Sequence, residues 1–309
     1  MKKQTVLVVL SMVLVAVLAL TACQPAVQTV TVKETVVVEE VVEKTVVVEV
    51  APENPAEGFK LAVIFPGVIT DADYNTLGYV ALRSVGNELG VDVAYSENVA
   101  VPDVERVMRE DIDLKSNIVW TLGGQVISKT EQLAREFRTV TFIAEADAPL
   151  AELPPNMWVI DRNFQIGFYP IGALAAMLTQ SGKVAYVGGL TLPFSYAEVH
   201  AIRQALRDQR RSVDLKLVGD FNDPAKARQV ADALIADGAD VIMGSLNLGM
   251  LGVFEAVKAS PRRVLVTAKY TDKANFAPQN YVTSVLYDFA GPLRSIVRRV
   301  QRGETKGYY

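Results

Sequence analysis

From Phe59 onward, apolar runs of strand length take turns with stretches of helical periodicity, and this alternation limits the chain to a small set of folds. The runs at 61–65, 91–95, 118–121, 140–144 and 157–160 are predicted strands, with helices predicted near 75–89, 102–110 and 128–137. Strands that are apolar throughout are buried on both faces. Strand–helix–strand order then requires parallel pairing, with helices packed over the sheet. Residues 166–179 read as a buried helix placed where this first unit ends. A second series follows: strand 184–187, helix 196–209, strand 215–219, helix 224–237, strand 241–243, helix 249–258 and strand 264–267. Roughly 250 residues of this kind exceed what one small core holds, so the expected fold is α/β, two doubly wound lobes with a cleft between them.

The segment GVITDADYNTLGY at residues 67–79 sits where the first strand hands over to a helix. In an open α/β sheet, ligands bind in the crevice at the carboxyl ends of the strands. The segment combines carboxylates (Asp71, Asp73), an amide (Asn75) and two aromatics (Tyr74, Tyr79), a set suited to holding a flat polar molecule. Equivalent strand ends carry Gln125 in the first half and Phe221, Asn222, Asn247, Lys269, Tyr270 and Asp272 in the second. Their clustering points to a ligand site in the cleft. Asp223 and Pro224 have the chemistry of an N-cap followed by the first helical residue, a helix start that aims Phe221 and Asn222 at the cleft.

Composition narrows the chemistry. The net charge is −4, and no basic stripe interleaved with aromatics is present, which argues against nucleic acid as a partner. There is one histidine, His200, and it lies among Glu198, Arg203 and Arg207 in a helical segment, where it reads as a surface or packing residue. No Ser/His/Asp order, zinc-ligand cluster or Walker loop is present. Gly123-Gly124 and Gly188-Gly189 follow strands without completing a dinucleotide fingerprint, and close backbone packing explains them equally well. The expectation is a binding protein without catalytic residues or cofactor.

Before the alternating region, Lys2 and Lys3 precede an apolar run from Val6 to Leu20 that is shorter than the roughly 20 residues of a spanning helix. This is the pattern of an export signal over residues 1–22. Its end, Leu20-Thr21-Ala22-Cys23, resembles the bacterial lipobox, in which cleavage leaves the cysteine acylated. Cys23 is the only cysteine, so no intramolecular disulfide forms. We expect a protein lipid-anchored on the extracytoplasmic side of the cell membrane. Residues 23–58 are then a stalk and linker. The run from Gln24 to Val50 repeats Val with Thr, Glu and Lys, which reads either as an extended stalk or as a segment that self-associates.

Several stretches resemble the basic membrane protein family of ABC-transporter substrate-binding lipoproteins, whose best-known members are purine-nucleoside receptors. DADYN at 71–75 looks like the family's D-x-S-F-N, and SGKVAYVGGL at 181–190 is similar to its T-G-K-V-G-F-V-G-G. GDFNDPAKA (219–227), DGADVI (237–242) and LGVFEA (251–256) match nearly as they stand, in the family's order, over the chain from Phe59. The resemblance implies a type I periplasmic-binding-protein fold with a hinge, an N-terminal lobe over 59–163 joined by 285–309, and a C-terminal lobe over 164–284. It implies delivery of the ligand to ABC permease and ATPase subunits.

It also implies a purine base sandwiched between two aromatics, Tyr79 and Phe221 by motif position. Stacking is worth about 1–3 kcal/mol per base, a large share of the roughly 8 kcal/mol of micromolar binding. The chain departs from the nucleoside receptors at two places. Their ribose-gripping Asp, the first in G-V-D-S-D-Q, is Tyr270 here, and their Lys after T-S-x-x is Tyr287. Tyr270-Thr271-Asp272 is closer to relatives that bind a free base, and Leu246-Asn247-Leu248 replaces a Gly-Gly. The expected ligand is a purine nucleoside or free purine base. A sugar or other small polar solute on the same fold, or a ligand-sensing partner of a membrane kinase, are the alternatives. Family members usually carry a further short strand after the helical pattern at 292–302, a region in which the sequence itself predicts none.

Overall fold

Alternating buried runs and amphipathic helices produce two parallel sheets in the computed structural model, which describes residues 58–210 and 212–309. The expected export signal, Cys23 and the valine-rich stalk lie outside the described residues. In chain order the first elements are β1 (Lys60–Ile64), α1 (Tyr74–Leu89), β2 (Asp92–Ser96), α2 (Val104–Asp113), β3 (Ile118–Thr121), α3 (Ile127–Glu136), β4 (Thr141–Glu145) and β5 (Met157–Ile160). There follow α4 (Phe164–Leu178), β6 (Lys183–Gly188), α5 (Pro193–Asp208), β7 (Ser212–Leu217), α6 (Pro224–Ala236), β8 (Val241–Ser245), α7 (Met250–Ala259) and β9 (Leu265–Tyr270). The last are β10 (Tyr281–Leu286), α8 (Ala290–Gln301) and β11 (Gly307–Tyr308).

The first sheet has the order β11-β5-β4-β3-β1-β2 and the second β10-β9-β8-β6-β7. Every pairing in both is parallel. Parallel pairing buries both faces, and it does so here: β3 and β5 are buried at every residue, and apolar clusters fill both sides of each sheet. In each sheet the strand order reverses beside its central strand, between β1 and β3 and between β6 and β8. These are the topological switch points at which ligands bind in open α/β sheets.

Helix packing follows from small residues and caps. Asp223 accepts a hydrogen bond from the Lys226 N–H at 2.9 Å and Pro224 opens α6, so the predicted cap forms as read. Helix α7 lies close on α6 because Gly252 has no side chain; a Cβ there would fall 1.9 Å from the Pro224 carbonyl oxygen. The chain passes from the first sheet to the second at residues 161–163 and returns at 287–289. These two segments touch, since the Arg162 guanidinium lies 3.5 Å over the Phe289 ring.

Two strands escape the sequence reading. β10 is a half-buried edge strand without a continuous apolar run. β11 is two residues long, too short for any periodicity, and is held by pairing with Trp158 and Val159. The predicted strand at 215–219 forms at Ser212–Leu217 instead, in register with β6.

Candidate functional site

The carboxyl ends of the two sheets face a shared cavity of about 230 Å3. The first sheet contributes Pro66 after β1, Gly123, Gly124 and Gln125 after β3, Glu145 to Asp147 at the end of β4, and Ile160 and Arg162 around the end of β5. The second contributes Leu190, Leu192 and Phe194 after β6, Gly219 to Asn222 after β7, Asn247 after β8 and Tyr270 at the end of β9. Val99 to Val101 after β2, Tyr74, the first residue of α1, and Phe164, the first of α4, complete the wall.

The polar groups of the wall form a buried chain. The Tyr74 hydroxyl donates to Glu145, whose other carboxylate oxygen accepts from Arg162. The side chains of Arg162 and Glu145 are 4% and 7% exposed, so the pair is shielded from water. Burial pushes the Tyr74 hydroxyl well above its ordinary range, with the Glu145 charge adding to the effect, so this group is a neutral donor. Arg162 Nε and Asn222 Oδ1 are buried with no partner inside the protein. Unpaired buried groups are expensive, and both residues belong to the cavity wall. Asp147 is pushed up to about 6, chiefly by burial, and accepts the Phe194 N–H at 3.2 Å from across the cleft.

Aromatic rings supply the rest. Phe194 and Phe221 lie nearly parallel, 6.0 Å apart with 22° between their planes. Tyr270 packs 5.4 Å from Tyr74, 5.7 Å from Tyr287, 6.1 Å from Phe164 and 6.3 Å from Phe289. Its φ of 77° is the left-handed region, which a bulky residue adopts at a cost of about 1–3 kcal/mol where the surroundings impose it. The glycine pair Gly188-Gly189 has a packing role: a Cβ on Gly189 would lie 2.2 Å from the Phe221 ring, so the glycine gives that ring its seat.

The structure brings Tyr74, Gln125, Phe221, Asn222, Asn247 and Tyr270 to the cavity wall. It does not bring Asp71, Asn75, Tyr79, Lys269 or Asp272 there. Asp71 is consumed at the start of α1, where its carboxylate accepts the N–H groups of Asp73, Asn75 and Thr76 at 2.9, 3.1 and 3.0 Å. Asn75 is fully buried and donates to the same carboxylate at 2.7 Å. Tyr79 packs edge-on to Tyr95 at 5.2 Å, so the first-lobe aromatic at the cavity is Tyr74. Lys269 lies behind the wall, paired with Glu198 at 2.8 Å. Asp272 is exposed and caps a local turn through the Ala274 N–H.

Sequence reading missed Glu145, Asp147, Arg162, Phe164 and Phe194. The first three carried a usable signal, charged residues within three positions of the ends of the buried strands at 140–144 and 157–160. The two phenylalanines sit in helical starts and look like ordinary core residues.

Contacts across the cleft tie the lobes together. Asp73, before α1, pairs with Lys273, after β9, at 2.5 Å, and both side chains are 2% exposed. Lys273 and Thr271 also donate to the Ala72 carbonyl at 3.2 and 2.8 Å. Burial pushes the Asp73 carboxyl well above its ordinary range, and Lys273 pulls it partly back. Among the described residues no group of His, Cys, Asp and Glu could hold a metal ion.

The family model for the ABC transporter substrate-binding protein PnrA-like matches residues 59–308. Basic membrane protein A2 of Borrelia garinii subsp. bavariensis is 24% identical over 238 residues, 74% of this chain and 68% of that protein. A purine-binding protein of Brucella abortus is 24% identical over 241 residues, 76% of this chain and 67% of its own. An ABC-transporter solute-binding protein of Aeropyrum pernix K1 matches with a TM-score of 0.72 at 19% identity, over 81% of this chain and 74% of its own.

Proposed function

Because the chain belongs to the PnrA-like family of ABC-transporter substrate-binding proteins, we propose that it captures a free purine base in its cleft and delivers it to an ABC permease. Its two parallel-sheet lobes are those of the type I periplasmic-binding fold, and proteins of this family and fold bind solutes and are not enzymes.

The aromatic enclosure around Tyr270 carries the choice of ligand. Tyr270 and Tyr287 stand where nucleoside receptors of the family place the acid and lysine that hold ribose, and here they pack on each other 5.7 Å apart. A ribose reaching Tyr270 would meet an aromatic ring in place of that acid. The cavity of about 230 Å3 lies below the roughly 300–1,000 Å3 of pockets for drug-sized ligands, which suits a single flat ring system. The purine-binding relative from Brucella supports the same ligand class.

In this reading the base stacks against the aromatic wall to which Phe194 and Phe221 belong, rather than between those two rings, gaining about 1–3 kcal/mol. Asp147 accepts from its N–H groups, and the side-chain amides of Asn222 and Asn247 on the wall supply further polar partners. Ligand contacts to both lobes draw the hinge at 161–163 and 287–289 closed, since contacts made only in the closed state shift the equilibrium. The folded part works outside the cytoplasmic membrane, anchored through Cys23.

A thermal-shift screen with adenine, hypoxanthine, adenosine and guanosine tests the proposal. Binding at a hundred times Kd stabilises the folded state by about 2.7 kcal/mol, so a free base should raise Tm by several degrees and its nucleoside by less. A Tm unmoved by all four refutes the purine assignment.

A further inference from the structure

Lys269, in β9, is among the largest fully buried side chains of the molecule. Its ammonium is 2.8 Å from Glu198, with the two side chains 1% and 0% exposed. The other Glu198 oxygen accepts from the Tyr186 hydroxyl at 2.7 Å. On its remaining sides the ammonium stands over rings, 4.1 Å from the centroid of Phe164, 4.6 Å from Tyr270 and 4.7 Å from Phe194. Those three rings are cavity wall; the lysine behind them is not.

A box of aromatic faces in a cleft is by its own electrostatics a receptor for cations, because each ring face carries negative potential. Here a fixed ammonium already occupies that potential from behind. What the rings present to the cavity is correspondingly poorer in electron density, with a positive charge beneath it in a dry environment. We propose that Lys269 is a specificity-determining positioning residue: it converts the wall of Phe164, Phe194 and Tyr270 from a cation cage into a stacking surface for neutral, electron-rich heteroaromatic rings. This rests on the ligand reading of the preceding section and adds to it a rule of exclusion. It also gives the ion pair a reason to be there, since a buried pair is seldom worth more to stability than apolar residues of similar volume. Glu198 holds the proton on a lysine whose affinity for it burial lowers.

The test removes the charge without leaving a lone carboxylate. Lys269→Met combined with Glu198→Gln keeps an acceptor for Tyr186 and makes the pair neutral. Wild type and the double variant are titrated calorimetrically with adenine, the neutral probe, and with tetramethylammonium, a small permanent cation. The ratio of the two dissociation constants should move by about tenfold or more towards the cation in the double variant, roughly 1.4 kcal/mol. A merely structural role would weaken both probes together and leave the ratio unchanged, and that result overturns the proposal. If the double variant does not melt cooperatively, Lys269→Gln with Glu198→Gln, which preserves a hydrogen bond between the positions, is titrated in its place under the same criterion. The two readings fail separately: no adenine binding by wild type refutes the ligand, whereas a wild-type ratio in the variant refutes the role of Lys269.

Discussion

Replacing Lys273 by Met should open the cleft and should do so in a pH-dependent way. In the closed form Asp73 and Lys273 meet at 2.5 Å with both side chains 2% exposed. The partners belong to different lobes, so opening returns both charges to water, and the substitution penalises the closed form alone. Removing one partner of a buried pair costs about 3–5 kcal/mol. Protonation caps the penalty, because Asp73 can enter the closed form neutral. Protonating an ordinary aspartate of pKa about 3.9 at pH 7 costs about 4 kcal/mol. The closed state is therefore weakened by about 3–4 kcal/mol, which lowers ligand affinity about 150- to 1,000-fold. The sign with pH follows from the carboxyl: in the variant its pKa is higher closed than open, so closure takes up a proton and is favoured as pH falls. Each unit of pH lowered towards 4 should restore affinity about tenfold. Adding Asp73→Asn should remove both the defect and its pH dependence. Calorimetric titration with adenine at pH 5, 6 and 7 reads the affinity, and small-angle scattering with saturating ligand reads the closure. A Lys273→Met protein that binds like wild type at pH 7, or whose defect persists undiminished at pH 5, would refute this reasoning.

Asp147, pushed up to about 6 by burial, should act as an acceptor only when ionised, so wild-type affinity for adenine is full above pH 7 and falls as pH drops through 6. Asp147→Asn should be weaker at neutral pH and flat below it, as checked by titrations across that range. Phe221→Ala removes an aromatic face and should weaken adenine binding by about 1–3 kcal/mol, and because the ring also packs against both neighbouring clusters it should lower Tm as well, effects that calorimetry and a melting curve read separately. In Gly189→Ala the new methyl meets the Phe221 ring at 2.2 Å, so binding should weaken through ring displacement, visible as a shifted Phe221 in a crystal structure. Gly252→Ala, whose Cβ would strike the Pro224 carbonyl at 1.9 Å, should destabilise the second lobe by about 1–3 kcal/mol or more in denaturant unfolding.

The fold was legible because its signal is local. Runs such as Leu61–Ile64 and Met157–Ile160 are apolar throughout, which marks strands buried on both faces, and Asp223-Pro224 announces its helix by cap chemistry alone. The edge strands β10, with Thr283 and Ser284 inside it, and β11, two residues long, lack that signal, which is why they escape a reading from sequence. The site was legible as a region and less so as a set of side chains. Asp71 looks like a ligand contact until the N–H groups of α1 claim it, and Asp73 until a lysine on the other lobe does. Tyr74 and Tyr79 cannot both face the cavity, since five residues turn a helix by about 140°. Deciding between them requires knowing where the second lobe sits. Lys269 was found for the right neighbourhood and the wrong contact, because only the packed structure shows the rings between it and the cavity.

The most direct test of a free-base receptor is one calorimetric comparison of adenine and adenosine on the folded domain at pH 7. One adenine should bind per chain with micromolar or tighter Kd, about 8 kcal/mol, and adenosine at least about tenfold more weakly, because Tyr270 and Tyr287 replace the acid and lysine that hold ribose in nucleoside receptors. Adenosine binding as tightly as adenine or more so, or heat from neither, would contradict it.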